Sequence, residues 1–367
     1  MNRDNFFAIA PDTNSRCRHK ARIGVFQARR QVLLTGAGFS KDFGGYLATE
    51  MWSVIFSQPE IEQHSGLRKH LLNQLNYELA YSEVMHSDRF DEDVRKDFTI
   101  AVGRSYQQMH EAFYVSGIRI PATGVCKAIV GAFAGTGANE RGFVFTLNQD
   151  LLMERFFTNG SHSLFDLWIP GIDNFGCFNY TLPRIQTADY KYVLPGRGEV
   201  QKLQSDFWND TAYGRFVYLK LHGSYWWKSS DGSNAMVIGS EKTGLIDREP
   251  YLKWSHSIFE QVLSGPSCDL VVIGYGFGDQ HINKVIADSI SEHGLKLYVV
   301  SPERPEEFRN KLIPVHGLGG VFTGSQDGTK LWEGVHGYYC CRVTDLYIGH
   351  NGDLTPLGKS LLERVGA

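Results

Sequence analysis

The sequence predicts an α/β protein with a Rossmann-like, doubly wound parallel sheet and a helical insertion. Five short apolar runs separated by helical patterns indicate this fold class, because strands buried on both faces of a parallel sheet are continuously apolar. Small or polar residues follow these runs directly. Parallel sheets bind ligands at the carboxyl ends of their strands, so these residues are the candidate site.

The predicted elements follow in order along the chain. The apolar runs lie at 32–34, 142–147, 216–221, 270–274 and 295–302. Residues 46–115 are predicted to be helical, with a solvated charged stretch at 88–97. Two apolar faces are expected there, one of Leu71, Leu72, Leu75 and Leu79 and one of Phe98, Val102, Tyr106, Met109 and Phe113. After the fourth run, a helix is predicted between the caps Asp279 and Gly294, with a buried stripe of Ile282, Val285, Ile286 and Ile290.

The chain divides into an arm, a sheet domain and a tail. The arm covers residues 1–30, the sheet domain 31–320 with its helical insert at 46–120, and the tail 321–367, which holds loops, a strand and a short helix opened by Thr355-Pro356. Between positions 16 and 30 the arm has no acidic residue and six basic ones: Arg16, Arg18, Lys20, Arg22, Arg29 and Arg30. This run is either a solvated leader or a docking surface for a partner or nucleic acid.

Composition narrows the function classes. The 367 residues carry 37 Lys and Arg against 40 Asp and Glu, a net charge of −3, and 13% are aromatic. The aromatic content excludes disorder for most of the chain. The slightly acidic balance predicts weak or absent direct binding of nucleic acid. No apolar stretch is long enough for a bilayer and the first residues lack a signal-peptide core, so we expect a cytoplasmic protein without a membrane partner.

The cysteines argue against a structural zinc site. None of the six has C-x-x-C spacing, which tetrahedral zinc modules usually require, and we expect no metal and reduced thiols. They are Cys17, Cys126, Cys177, Cys268, Cys340 and Cys341.

Two polar or glycine-rich turns follow the first two strands. The turn Gly36-Ala37-Gly38 leads to Ser40, and glycine there lets backbone N–H groups approach an anion. A tight turn without a ligand explains this pattern equally well. The cluster 146–150 (TLNQD) places Asn148 and Asp150 after the second strand, as ligand-reading groups or as a helix cap.

Two further turns follow the third and fourth strands. The third strand delivers His222 into a loop with Gly223, where the imidazole is either a general base or a packing residue. The fourth leads into residues 274–279 (GYGFGD), whose glycines predict close approach of a flat or anionic group, or structural turns.

Taken together, these four turns resemble the sirtuin (silent information regulator) family over residues 31–303. The resemblance implies that Gly36, Ala37, Gly38 and Ser40 bind the NAD pyrophosphate, that Asn148 and Asp150 hold the nicotinamide ribose, and that His222, followed by Gly223, is the catalytic base. The segment with Gly274, Tyr275, Gly276 and Asp279 is similar to the adenosine-side loop of bacterial sirtuin-like defence proteins, and Ser301 stands where the family contacts the adenine ribose.

The sequence also departs from the sirtuin deacylases. It lacks their four-cysteine zinc module, has residues 41–45 (KDFGG) in place of their Pro-Asp-Phe-Arg loop, and has Leu147 where they have Gln. The zinc module helps to form the acyl-lysine cleft, so these departures argue against peptide deacylation and leave cleavage of NAD unaffected.

The resemblance therefore implies an NAD glycohydrolase (NADase) that releases nicotinamide and ADP-ribose. Asn148 would orient the water and the ribose, His222 would accept a proton, and Asp150 would stabilise positive charge or hold the carboxamide. It further implies an antiviral effector that causes abortive infection by depleting NAD, regulated as a homo-oligomer or in complex with a HerA-type hexameric ATPase. The alternatives are a non-catalytic sensor of NAD or an ADP-ribose derivative, a zinc-free deacylase or ADP-ribosyltransferase, and, last, a nuclease subunit.

Overall fold

A six-stranded, wholly parallel sheet forms the centre of the computed structural model. The structure describes residues 27–119, 122–135, 140–157, 167–172, 192–209, 216–314, 326–348 and 353–364. The strands are β1 (Gln27–Thr35), β2 (Glu140–Thr146), β3 (Tyr192–Val193), β4 (Phe216–Lys220), β5 (Trp227–Lys228), β6 (Asp269–Ile273), β7 (Lys296–Ser301), β8 (Val335–Cys340), β9 (Tyr347–Ile348) and β10 (Asp353–Leu354). The main sheet has the order β4-β2-β1-β6-β7-β8, and two short pairs, β3 with β5 and β9 with β10, lie outside it.

Helices pack around this sheet, so the predicted α/β class is confirmed. They are α1 (Ala37–Lys41), α2 (Ala48–Phe56), α3 (Pro59–Glu62), α4 (Ser65–Asn73), α5 (Tyr77–His86), α6 (Glu92–Arg119), α7 (Ala122–Gly131), α8 (Leu152–Phe157), α9 (Arg197–Asp206), α10 (Lys242–Arg248), α11 (Pro250–Leu263), α12 (Gln280–His293), α13 (Pro305–Leu312), α14 (Gln326–Glu333) and α15 (Pro356–Arg364). None of the helices in the described ranges is long and apolar enough to cross a membrane.

The five predicted strands are all present, and the sheet has a sixth. Strand β8, from the predicted tail, pairs in parallel with β7 and so belongs to the main sheet. Its residues are mostly half-buried or exposed because it lies at the sheet edge, and it therefore lacks a continuous apolar run. At the other end, β1 begins at Gln27 and includes Arg29 and Arg30 of the basic arm. The remainder of that arm lies outside the described residues.

The sheet order places a ligand site between two central strands. From β1, the chain proceeds to β2 and β4 on one side and to β6, β7 and β8 on the other. Loops that leave neighbouring strands in opposite directions open a crevice at the carboxyl ends of those strands. The switch between β1 and β6 is therefore the expected binding point.

One predicted helical face is confirmed and the other is wrong. Phe98, Val102, Tyr106, Met109 and Phe113 are all buried on α6. The leucine face fails because α4 ends at Asn73 and a new helix begins at Tyr77, so Leu72 and Leu75 are 59% and 65% exposed. The cause is the cap of α5, where the Asn76 side chain accepts hydrogen bonds from the backbone N–H groups of Glu78 and Leu79.

The predicted helix after the fourth strand is confirmed as α12. Ile282 and Ile286 are fully buried, and Gly294 ends the helix in the left-handed conformation with φ of 71°. Asp279 is the first flanking residue, but its side chain makes no capping hydrogen bond. That carboxylate is bound to Lys242 instead, and this places it in the candidate site.

Candidate functional site

A cleft of about 410 Å³ opens at the carboxyl ends of the central strands. This volume falls within the range of roughly 300–1,000 Å³ that small-molecule sites have. The predicted site residues that line it are Gly36, Ala37, Gly38, Asn148, Asp150, His222, Gly274, Tyr275, Gly276, Asp279 and Ser301. The structure thus brings the four turns and Ser301, which lies 265 residues after Gly36, to one cavity. The predicted site residues Ser40 and Gly223 do not line the cleft.

The glycines of the first turn are required for backbone packing. A Cβ atom on Gly36 would lie 2.7 Å from the carbonyl oxygen of Gly274, and one on Gly38 would lie 2.8 Å from the Cα of Gly274. The amides of Gly36 and Gly38 donate to the carbonyls of Ile273 and Gly274, at 3.0 and 2.9 Å. These two N–H groups therefore join β1 to the loop after β6 and are not directed at an anion.

The glycines of the fourth turn divide into two kinds. Gly274 has a φ of +68° and packs against the first turn. Gly276 and Gly278 line the cleft, and a Cβ atom on either would meet nothing within 4 Å. Tyr275 holds the loop in shape, because its hydroxyl accepts from the Asp279 N–H at 3.0 Å and donates to Asn283 at 2.9 Å. The open surface for a ligand therefore lies at Gly276 and Gly278.

Asn148 is held in one orientation by the first turn. Its Nδ2 group donates to the Gly36 carbonyl at 2.9 Å and to the Ser40 hydroxyl at 2.8 Å. With both amide hydrogens occupied, Oδ1 is the side-chain atom available to a ligand or water in the cleft. Ser40 therefore acts on the site by orienting Asn148.

Asp150 both bonds the start of a helix and lines the cleft. One carboxylate oxygen accepts from the Leu152 N–H at 3.0 Å at the start of α8, and the residue also lines the cleft. Its backbone carbonyl accepts a hydrogen bond from the Lys220 ammonium, which pairs with Glu154 at 2.8 Å. Lys220 and Glu154 are both fully buried, and burial raises the pKa of Glu154 while Lys220 opposes the rise. The buried ion pair of Lys220 and Glu154 thus holds the loop of Asp150 through its backbone carbonyl.

His222 reaches the cleft from the end of β4 with only 3% of its surface exposed. Burial lowers its pKa well below the ordinary value, and the positive charge of Lys242 and the rings of His281 and His256 lower it further. Its Nε2 lies 3.1 Å from Nε2 of His281. Gly223 has a φ of +63°, which turns the chain directly after this histidine. The imidazole is therefore neutral at neutral pH and able to accept a proton.

Lys242 is a site residue that the sequence did not reveal. Its ammonium bridges Glu78 at 2.7 Å and Asp279 at 2.8 Å, and all three residues line the cleft. Burial opposes the charge, but the two carboxylates together raise the pKa of Lys242. No sequence signal joins these residues, because they come from α5, α10 and the turn before α12.

The helical insertion supplies an apolar wall of the cleft, which the sequence did not predict. Its cleft-lining residues are Tyr46, Leu47, Ala48, Met51, Tyr77, Tyr106 and Met109. The Tyr106 hydroxyl donates to Oε1 of Gln149, whose Nε2 group donates to the Val237 carbonyl. Gln149 therefore ties the insertion to the loop that carries Asn148 and Asp150.

The fold and the position of the cleft define a Rossmann-like α/β protein with its site at the switch point of the sheet. Residues 142–317 match the family model of the SIR2-like domain, and this match supports a sirtuin-like domain in that part of the chain. The match includes Asn148, Asp150, His222 and Ser301 and supports a role that involves NAD, the substrate of SIR2-like domains. The turn at Gly36 precedes it and joins it through β1. Comparison with curated proteins found no match.

Proposed function

We propose that this chain is an NAD glycohydrolase that converts NAD and water to nicotinamide, ADP-ribose and a proton. One observation carries the proposal. Asn148, Asp150 and His222, from the ends of β2 and β4, lie around the same cleft as the open glycine surface. The SIR2-like domain supports NAD as the ligand.

In the proposed complex the dinucleotide lies along the cleft in one direction. The adenosine half lies over Gly276 and Gly278 towards Ser301, where small residues leave room for a flat group. The nicotinamide ribose lies at Asn148 and His222. Nicotinamide then faces the apolar wall of the insertion, where the tyrosine rings exclude water and pack against the nicotinamide ring.

The reaction breaks the bond between the ribose C1′ and the nicotinamide nitrogen, and that nitrogen keeps the bonding electrons. Water adds its oxygen to C1′ and loses a proton. Asn148 Oδ1 orients the water or a ribose hydroxyl, and the neutral His222 accepts the proton. Asp150 stabilises the positive charge that develops on the ribose, through preorganised electrostatics in a buried setting.

The test is release of nicotinamide and ADP-ribose from NAD, measured by chromatography. Asn148→Ala and His222→Ala should each lower the rate by about two to four orders of magnitude, as loss of one such group does. Asn73→Ala is the matched control, because Asn73 is an exposed residue of α4 whose side chain bonds only the Lys69 carbonyl. Near-wild-type hydrolysis by both site variants would contradict the assignment. NAD binding without turnover would favour a sensor, and transfer to a peptide would favour a transferase or deacylase.

We further propose that this activity is regulated by assembly in an antiviral response. Uncontrolled hydrolysis of NAD would kill the host cell, so the enzyme must be inactive before infection. The likeness to bacterial sirtuin-like defence proteins supports a homo-oligomer or a complex with a HerA-type hexameric ATPase. Sedimentation at micromolar concentration should show an assembly, and hydrolysis should rise when the ATPase and phage DNA are added. A fully active monomer would contradict this proposal.

A further inference from the structure

Three metal-ligating side chains converge beside the cleft. One ring nitrogen from each of His222 and His281 and a carboxylate oxygen of Asp279 all lie within 4.8 Å of one another. The two imidazole nitrogens are 3.1 Å apart. Two nitrogens bound to one tetrahedral zinc ion, each at about 2.0–2.1 Å, are separated by about 3.4 Å. The distance between the two imidazole nitrogens is therefore close to the distance between two ligands of one ion.

Two carboxylates and one ammonium lie beside this cluster. The ammonium of Lys242 bridges Glu78 and Asp279, so the carboxylates outnumber it by one. Lys242 contacts the Oδ1 atom of Asp279.

The positions of the three side chains are set by regular structure. His222 lies two residues after the end of β4, and Asp279 and His281 flank the first residue of α12. The Asp279 N–H donates to the Tyr275 hydroxyl, which fixes the turn. Two imidazoles and one carboxylate form a donor set that suits zinc or cobalt better than magnesium or calcium, and three protein ligands leave a fourth position open.

We propose that His222, His281 and Asp279 bind one divalent transition-metal ion of the zinc class, and that the bound ion inhibits the enzyme. The ion occupies a lone pair of the His222 imidazole and makes that ring a weaker proton acceptor. It also adds positive charge next to a ribose on which positive charge develops. The binding site rests on the arrangement and chemistry of these side chains, whereas the inhibition rests on the proposed hydrolysis of NAD.

Cobalt(II) titration of the purified full chain tests the site without reference to activity. Wild type should bind one equivalent of Co²⁺ and show the visible ligand-field absorption of a four-coordinate ion. His281→Asn should weaken binding at least about tenfold, since loss of even an outer partner of a metal ligand costs that much. His293→Asn, at the exposed end of the same helix, is the control and should bind as wild type does. His281→Gln is a second variant should the first not fold, as judged by thermal unfolding.

Equal Co²⁺ affinity in wild type and both His281 variants would overturn the site. In the NAD assay, Zn²⁺ should inhibit wild type and His293→Asn, whereas His281→Asn should keep its hydrolysis in the presence of Zn²⁺. Hydrolysis by wild type that is insensitive to saturating Zn²⁺ would overturn the inhibition. Bound Co²⁺ together with no hydrolysis by the metal-free protein, even with the ATPase and phage DNA added, would instead refute the proposed function and leave the metal site standing.

Discussion

Burial of polar side chains controls the chemistry of this cleft. His222 is almost completely enclosed and His256 is half-buried, and burial lowers the pKa of each, to about 4 for His256. The Nε2 group of His256 bonds the Leu221 carbonyl, directly before His222. Neutral imidazoles in the folded state leave His222 ready to accept a proton, and they make the fold sensitive to acid.

We therefore expect stability to fall as pH decreases below about 6.5, the unfolded pKa of histidine. The unfolded chain binds protons in this window that the folded chain does not, so stability is complete above it and is lost towards pH 4. For His256 the loss between about pH 6.5 and 5 is about 2 kcal/mol. Urea unfolding of His256→Gln should show a pH dependence smaller by this amount, with the exposed His293→Gln as control. An unchanged pH dependence would show that burial of His256 does not shift its titration.

At the scale of elements, the junction of β1 with the loop after β6 determines where the site forms. Gly36 and Gly38 lie against Gly274 with no space for a side chain, whereas Gly276 and Gly278 face open space. The turn that resembles an anion-binding loop thus owes its glycines to contact between two backbone segments. The same contact holds Asn148, since the Gly36 carbonyl accepts from its amide.

Alanine substitutions separate these two kinds of glycine. Gly36→Ala should lower the free energy of unfolding by about 1–3 kcal/mol, because its Cβ atom would collide with backbone that cannot move aside. Gly276→Ala should leave thermal unfolding unchanged and weaken NAD binding in calorimetry, because its methyl group would enter the ligand's space. Equal unfolding of both variants would contradict the packing role of Gly36.

Across the whole molecule, the helical insertion completes the cleft that the sheet begins. Tyr106 from α6 bonds Gln149 in the loop after β2, and Gln149 bonds Val237 in the loop after β5. Tyr106 also stacks on Tyr225, three residues after His222, with ring centroids 5.8 Å apart. The insertion is therefore a structural wall of the site, in contact with both loops that carry the proposed catalytic residues.

Removing one hydroxyl tests this coupling. Tyr106→Phe should weaken NAD binding about fivefold, the effect of losing one hydrogen bond of about 1 kcal/mol, with a smaller change in kcat. Tyr81→Phe is the matched control, because Tyr81 lies in the same insertion and bonds Thr99 away from the cleft. Steady-state kinetics of the two variants would distinguish them, and equal effects would contradict a specific link through Gln149.

Local pattern was enough to predict the sheet class, five strands of the main sheet, the helix α12 and the turns that meet at the cleft. Each of these depends on residues close together in the chain, such as an apolar run followed by glycine. The prediction of the leucine face at Leu71 was wrong because it also used only local spacing. Helical spacing does not show that Asn76 caps a new helix and interrupts the face.

The sequence by itself determined the α/β class and the residues that stand after each strand. The tertiary structure alone decided that the tail strand β8 joins the main sheet, and it alone decided the apolar wall of the insertion, the Lys242 bridge and the contact of His222 with His281. Those features join segments far apart in the chain, whose contacts arise from packing around the sheet. Periodicity reports which side of an element is buried, but only the folded chain specifies which distant side chain it is buried against.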